Sequence, residues 1–152
     1  MAEHGLEGPV LSLVLDGTGC GGAGTIFGGE IYRADRVGFV RLGRLSHLPL
    51  PGGDMAVREP WRMAYALLLR YNLLPQVPFV VPEGREDAAR LIPAMLERGL
   101  NCPLSSGCGR LFDAVAALLG LCDAASYEGQ AAVRLETAAG QYATPMGGGA
   151  PP

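Results

Sequence analysis

The sequence predicts an α/β fold, with strands between residues 9 and 45 and mostly helix after that. Three observations carry this expectation. Short runs rich in leucine, valine and isoleucine alternate with glycine as far as Leu45, the punctuation of strands and turns. Beyond Asp54 the apolar residues recur at three- and four-residue intervals, the period of a helix with one buried face. And 49% of the 152 residues are apolar, enough for a single-domain core and too many for a disordered chain.

In chain order, Pro9 to Asp16 reads as a short buried strand that stops at Asp16. Gly17 to Gly29 is packed with glycine, interrupted by Thr25-Ile26-Phe27. Glu30 to Arg33 and Gly38 to Leu45 are two further strands, turning through Ala34-Asp35-Arg36. Pro49 to Asp54 is a proline-glycine loop. Asp54 is placed to cap a helix running through Glu59-Pro60 to Tyr71, since proline is tolerated in a first helical turn. Leu73 to Val81 is apolar and broken by proline. Glu86 to Arg98 has helical spacing through Ala89, Ile92, Met95 and Leu96, with a bend expected at Pro93. Asn101 to Gly109 is a loop. Arg110 to Leu121 is the clearest helix, with Leu111, Phe112, Val115, Leu118 and Leu119 forming one stripe. Gly129 to Ala139 is the last helix. Residues 140–152 read as a disordered glycine-proline tail.

Composition excludes several classes of function. A net charge of −3 gives no electrostatic reason to expect nucleic acid or an anionic membrane as partner. No apolar run approaches the roughly 18 residues of a membrane span, and Met1-Ala2-Glu3-His4 lacks a signal peptide's basic start. A cytoplasmic protein is expected. Every basic residue is arginine, so chemistry that needs a lysine has no residue to use. Cys20, Cys102, Cys108 and Cys122 form no CxxC pair and read as free thiols.

Chemistry could sit in four places. In Leu15-Asp16-Gly17-Thr18-Gly19, a carboxylate at a strand end could hold a divalent cation while the glycine turn presents N–H groups to phosphate. A tight turn has the same composition. Ser105-Ser106-Gly107-Cys108-Gly109 leads into a helix whose first N–H groups could face an anion, with Asp113 able to accept from sugar hydroxyls. Helix capping and dipole complementation account for the same residues. Gly129, in Tyr127-Glu128-Gly129-Gln130, either lets backbone approach a ligand or opens a helix. Arg58 and Arg62 could bind an anion, or lie on a surface loop beside an inward-packing Trp61.

Taken in order, these stretches form a pattern. Leu15 to Gly19 and then Gly24 to Glu30 resemble the DGTGYG and GTIWGGE stretches of the HypF-type carbamoyltransferases of hydrogenase maturation. Pro49 to Arg62 resembles that family's PLPGGD and EPWR segment. Ser105 to Gly120 resembles its SS-x-GRLFDAVAALLG motif, and Tyr127 to Ala132 its YEGQAA. Cys20 stands where the family usually has tyrosine, and Phe27 where it has tryptophan.

The resemblance implies part of an actin/sugar-kinase/Hsp70-like nucleotide-binding domain over residues 1–139, related to the tRNA threonylcarbamoyl transferases. It implies ATP as cofactor and a carbamoyl-adenylate intermediate. The carbamoyl group would come from carbamoyl phosphate and pass to the C-terminal cysteine of a HypE-like acceptor protein. It places a divalent metal on Asp16, phosphate on Gly17, Thr18 and Gly19, and nucleotide on Asp113 and Gly129. The family's paired metal-binding histidines, its SGG-and-asparagine adenine segment and a final metal aspartate are not in the sequence. The expectation is therefore a fragment inactive on its own, or alternatively a non-catalytic nucleotide- or partner-binding module.

Overall fold

The computed structural model describes residues 5–21 and 24–142. Strands come first and helices follow, as the α/β reading expects: β1 (Val10–Cys20), β2 (Thr25–Ala34), β3 (Phe39–Arg44) and β4 (Leu48–Pro49) precede α1 (Asp54–Arg58), α2 (Trp61–Arg70) and α3 (Glu86–Arg98). A short β5 (Leu104–Ser105) then leads to α4 (Cys108–Leu118) and α5 (Gln130–Tyr142). Of the expected tail, Gly140 to Tyr142 continue α5, and residues 143–152 lie outside the described residues.

β2 organises the sheet. It pairs antiparallel with β1 along one edge; along the other it takes β3 at its C-terminal half and a parallel β5 at Thr25–Ile26. β4 closes the order β1-β2-β5-β4 by pairing antiparallel with β5. The turn between β2 and β3 is made by Asp35, whose Oδ1 accepts from the N–H groups of Val37 (2.8 Å) and Gly38 (2.9 Å).

The first strand corrects two expectations. It does not stop at Asp16: the glycine-rich stretch that follows pairs with β2 as a bulged hairpin. Leu15 pairs with Gly29 and Gly19 with Phe27, so Asp16, Gly17 and Thr18 stand opposite Gly28 alone. Glycine weakens a strand, but a bulge absorbs the extra residues and glycine backbone fits where another chain segment comes close. Nor is β1 buried: alternate residues Leu11, Leu13 and Leu15 are 74%, 62% and 56% exposed. Side chains two apart share one sheet face, and among the described residues nothing covers this one.

The expected helix from Asp54 to Tyr71 is two helices, because Pro60 lacks an N–H and its ring crowds the carbonyl four residues back. Pro60 then opens α2 in helical geometry (φ −50°). Gly53, at φ 58°, is the cap residue of α1; Asp54 is its first residue and complements the helix dipole from there. Buried Glu59 at the junction accepts from Arg62 Nε at 2.5 Å and pairs with Arg85 at 2.9 Å, tying α2 to the start of α3.

The core lies in the helical layer. Leu50, Ala56, Met63 and Ala114 form one cluster, Trp61, Ala66, Ala89 and Ile92 a second, and Ala116, Cys122 and Ala131 a third. α4 is the hub, packed on α2, α5 and β1. From β2, the side chain of Glu30 is deeply buried. Its carboxylate accepts from Gly28 N (2.7 Å), Gly29 N (2.9 Å) and the Ser106 hydroxyl, which joins β2 to the β5–α4 connection.

Candidate functional site

A cleft of about 730 Å³ opens between the bulge of β1, the α1 turn, the first turn of α4 and the segment entering α5. That volume is in the range of small-molecule sites, roughly 300–1,000 Å³. Thr18 and Ile26 come from the sheet, Asp54 and Arg58 from α1, and Arg110 and Asp113 from α4. Tyr127, Glu128 and Gly129 close the far wall.

Glycines build this corner by letting backbones touch. A side-chain carbon on Gly107 would lie 2.5 Å from the Gly17 carbonyl, and one on Gly28 would lie 2.5 Å from the Asp16 carbonyl. No side chain survives such a contact, so the bulge of β1, the middle of β2 and the start of α4 interlock. Gly129 is different: space around it is open, but its φ of 78° lies in the left-handed region that favours glycine. It serves the approach to α5 by conformation and not by clearance.

Asp113 is 4% exposed and sits one turn into α4, with its Oδ2 at 2.9 Å from Arg110 Nη2. Burial pushes its carboxyl above the usual range, against the pull of the arginine. The pair meets without hydrogen-bond alignment, and neither Oδ2 nor Arg110 Nε has a hydrogen-bond partner.

Of the six residues picked out in the sequence, the cleft gathers three from three separate motifs: Thr18, Asp113 and Gly129. Gly17 stands just behind, with a side-chain position 3.4 Å from the Arg110 guanidinium. Asp16 and Gly19 do not line the cleft. Asp16 is exposed and its Oδ1 accepts from Gly17 N at 2.6 Å. Among the described residues no group of three or more His, Cys, Asp or Glu could hold a metal ion. Asp16 by itself supplies one carboxylate toward the six or more oxygen ligands such a cation takes.

Sequence reasoning left Arg110 unassigned, although its place three residues before Asp113 on one helix face was a usable signal. It also paired Arg58 with Arg62 as a possible anion site. The structure separates them: Arg62 is committed to Glu59, and Arg58 alone faces the cleft. All four cysteines are free, with Cys108 and Cys122 buried.

A family profile described as a carbamoyltransferase Kae1-like domain, second subdomain, matches residues 12–148. This chain belongs to the HypF carbamoyltransferase family. A carbamoyltransferase HypF homolog of Cupriavidus necator is 48% identical over 93% of this chain and 36% of its own length. Carbamoyltransferase HypF of Rhodobacter capsulatus is also 48% identical, over 87% of this chain and 18% of its own. Among solved structures, full-length HypF in its phosphate- and nucleotide-bound form superposes with a TM-score of 0.74 at 37% identity, covering 90% of this chain and 18% of that one. HypF of T. kodakarensis superposes at 0.69 with 29% identity, covering 85% and 18%. The chain thus spans about a fifth to a third of the length of these relatives. Among the described residues no helix is long and apolar enough to cross a membrane.

Proposed function

We propose that this chain supplies part of the nucleotide site of an ATP-dependent carbamoyltransferase. The enzyme would move a carbamoyl group from carbamoyl phosphate, through carbamoyl-adenylate, to the C-terminal cysteine of a HypE-like acceptor in [NiFe]-hydrogenase maturation. It would act in the cytoplasm, in keeping with four free thiols. The observation that carries the reading is the convergence of Thr18, Asp113 and Gly129, each from a different motif, on one cleft. A solved relative bound to phosphate and nucleotide supports it.

In this reading Asp113 accepts hydrogen bonds from the ribose hydroxyls, and Thr18 donates its hydroxyl to a phosphate oxygen. Arg58, exposed at the mouth, attracts the phosphate chain and offsets charge on the phosphoanhydride. Gly17 and Gly19 flank Thr18 without lining the cleft, and the Gly17 N–H is taken by Asp16 Oδ1 at 2.6 Å, so phosphate contact in this stretch rests on Thr18. Asp16 would be one ligand of a divalent metal; the described residues offer no further set, so the rest of its shell is assigned to water and phosphate.

Titration calorimetry of the chain with ATP and Mg²⁺ tests the reading. Saturable binding that Asp113→Ala weakens about tenfold, and Asp16→Ala weakens less, is the expected result. A demonstrably folded sample that binds no ATP would sink it. Binding without carbamoyl transfer would fit the narrower reading of a nucleotide-binding module.

A further inference from the structure

Four buried charged side chains among the described residues, at three places, differ in how the fold completes them. Glu30 receives two backbone N–H groups and the Ser106 hydroxyl. Glu59 receives Arg62 and Arg85. The Arg110–Asp113 pair is as deeply buried, at 5% and 4% exposure, yet Arg110 Nε and Asp113 Oδ2 have no hydrogen-bond partners. Buried polar groups are normally paired, and a half-satisfied buried ion pair is costly, so an exception beside a cleft calls for a reason. Gly17 borders the pair from the sheet side: the guanidinium end of Arg110 lies 3.4 Å from where a Gly17 side chain would begin, an ordinary contact distance.

Resting on the nucleotide reading above, we infer that Arg110 is a positioning residue that holds the Asp113 carboxylate for the vicinal hydroxyls of ribose and so sets the preference for ribonucleotides. A neutral buried acid would turn a proton toward the ligand and lose an acceptor; the adjacent guanidinium opposes that neutralisation. The two groups sit three apart on α4, and the Nη2–Oδ2 contact at 2.9 Å holds the carboxylate beside the guanidinium. The other charged groups of the cleft, Asp54, Arg58 and Glu128, come from α1 and the α5 approach and are exposed, where water screens them. Lysine would keep the charge but not the planar guanidinium whose Nη2 lies 2.9 Å from Oδ2.

The test compares ATP and 2′,3′-dideoxy-ATP, each with Mg²⁺, on the full chain by titration calorimetry. Wild type is expected to favour ATP by about tenfold, the value of one hydrogen bond to a charged group. Asp113→Asn and Arg110→Met should each bring that ratio to about one, and Arg110→Lys to about threefold. Circular dichroism establishes that each variant is folded. If Arg110→Met does not fold, Arg110→Lys decides: a reduced ratio supports the assignment and a wild-type ratio overturns it. A folded Arg110→Met with a wild-type ratio also overturns it, as does a wild type that binds both nucleotides equally, which leaves the nucleotide reading standing. Failure of folded wild type to bind either nucleotide ends both.

Discussion

The β1–β3 ribbon and the helical layer are both written in apolar residues, and they end in opposite conditions. In the ribbon, Leu11, Phe39 and Val40 are 74%, 74% and 61% exposed; in the helices, Ala56, Met63 and Ile92 are 0% exposed. The helices pack on one another around α4, so their stripes face a partner layer. The ribbon has its hydrogen-bond ladder, one edge-on Tyr32–Phe39 contact at 5.3 Å, and an attachment to the helices through Glu30, Ser106 and the interlocked glycines. An apolar stretch therefore reports what a segment is suited to bury, and tells little about what lies over it.

The contrast can be broken or sharpened by substitution, with stability read from urea unfolding. The largest effect should come from Trp61→Ala in the second core cluster, a loss of about 3–5 kcal/mol. A loss under about 1 kcal/mol would mean that stability does not reside in the helices. At the junction, Gly107→Ala forces a methyl to 2.5 Å from the Gly17 carbonyl and should cost about 1–3 kcal/mol. An unchanged midpoint there would show that the ribbon is not locked to α4.

Ser106→Ala removes one donor from buried Glu30 and should cost about 1.5 kcal/mol at neutral pH. Burial pushes the Glu30 carboxyl up, but the Ser106 hydroxyl, the Gly28 and Gly29 N–H groups and Arg41 outweigh it and hold it below the usual carboxylate range. A depressed folded value means stability that is fully present above the unfolded carboxylate range and lost as pH falls through the folded value. The gap between wild type and Ser106→Ala should accordingly narrow in acid; a gap that widens would contradict the assignment. The smallest effect belongs to the ribbon surface, where Leu13→Ser should change stability by no more than about 0.5 kcal/mol.

Much of the arrangement was legible beforehand because local patterns carried it. The existence of α4, the hairpin turn at Asp35 and the order of strands before helices follow from spacing and turn chemistry. The face of α4 does not: Phe112 and Leu119 of the expected stripe are 42% and 61% exposed, and Arg110, Asp113, Ala114, Ala116 and Ala117 are buried instead, because small residues let α2 and α5 pack closely there. The break at Pro60 was missed because proline suits a first helical turn, and here it begins the second helix of two. The two-residue strands β4 and β5 have no period to detect; pairing with distant partners defines them. At the site, Thr18, Asp113 and Gly129 were legible as motif residues. That they share a cleft, and that Gly17 lies against Arg110, depend on contacts between segments some ninety residues apart, as the residue numbers show. The difference between a glycine needed for clearance (Gly107) and one needed for its dihedral (Gly129) is likewise invisible in sequence.

The parallel pairing of β2 with β5 also sets an order of events. The β1–β2 and β2–β3 hairpins close over a few residues and can form within microseconds. The bonds from Ser106 to Ile26 span 80 residues, so that edge of β2 has no partner until β5 has been synthesised. During synthesis the ribbon therefore emerges before the helices, with half of one edge unpaired, and the cleft, whose walls run from Thr18 to Gln130, cannot form until that last wall has followed.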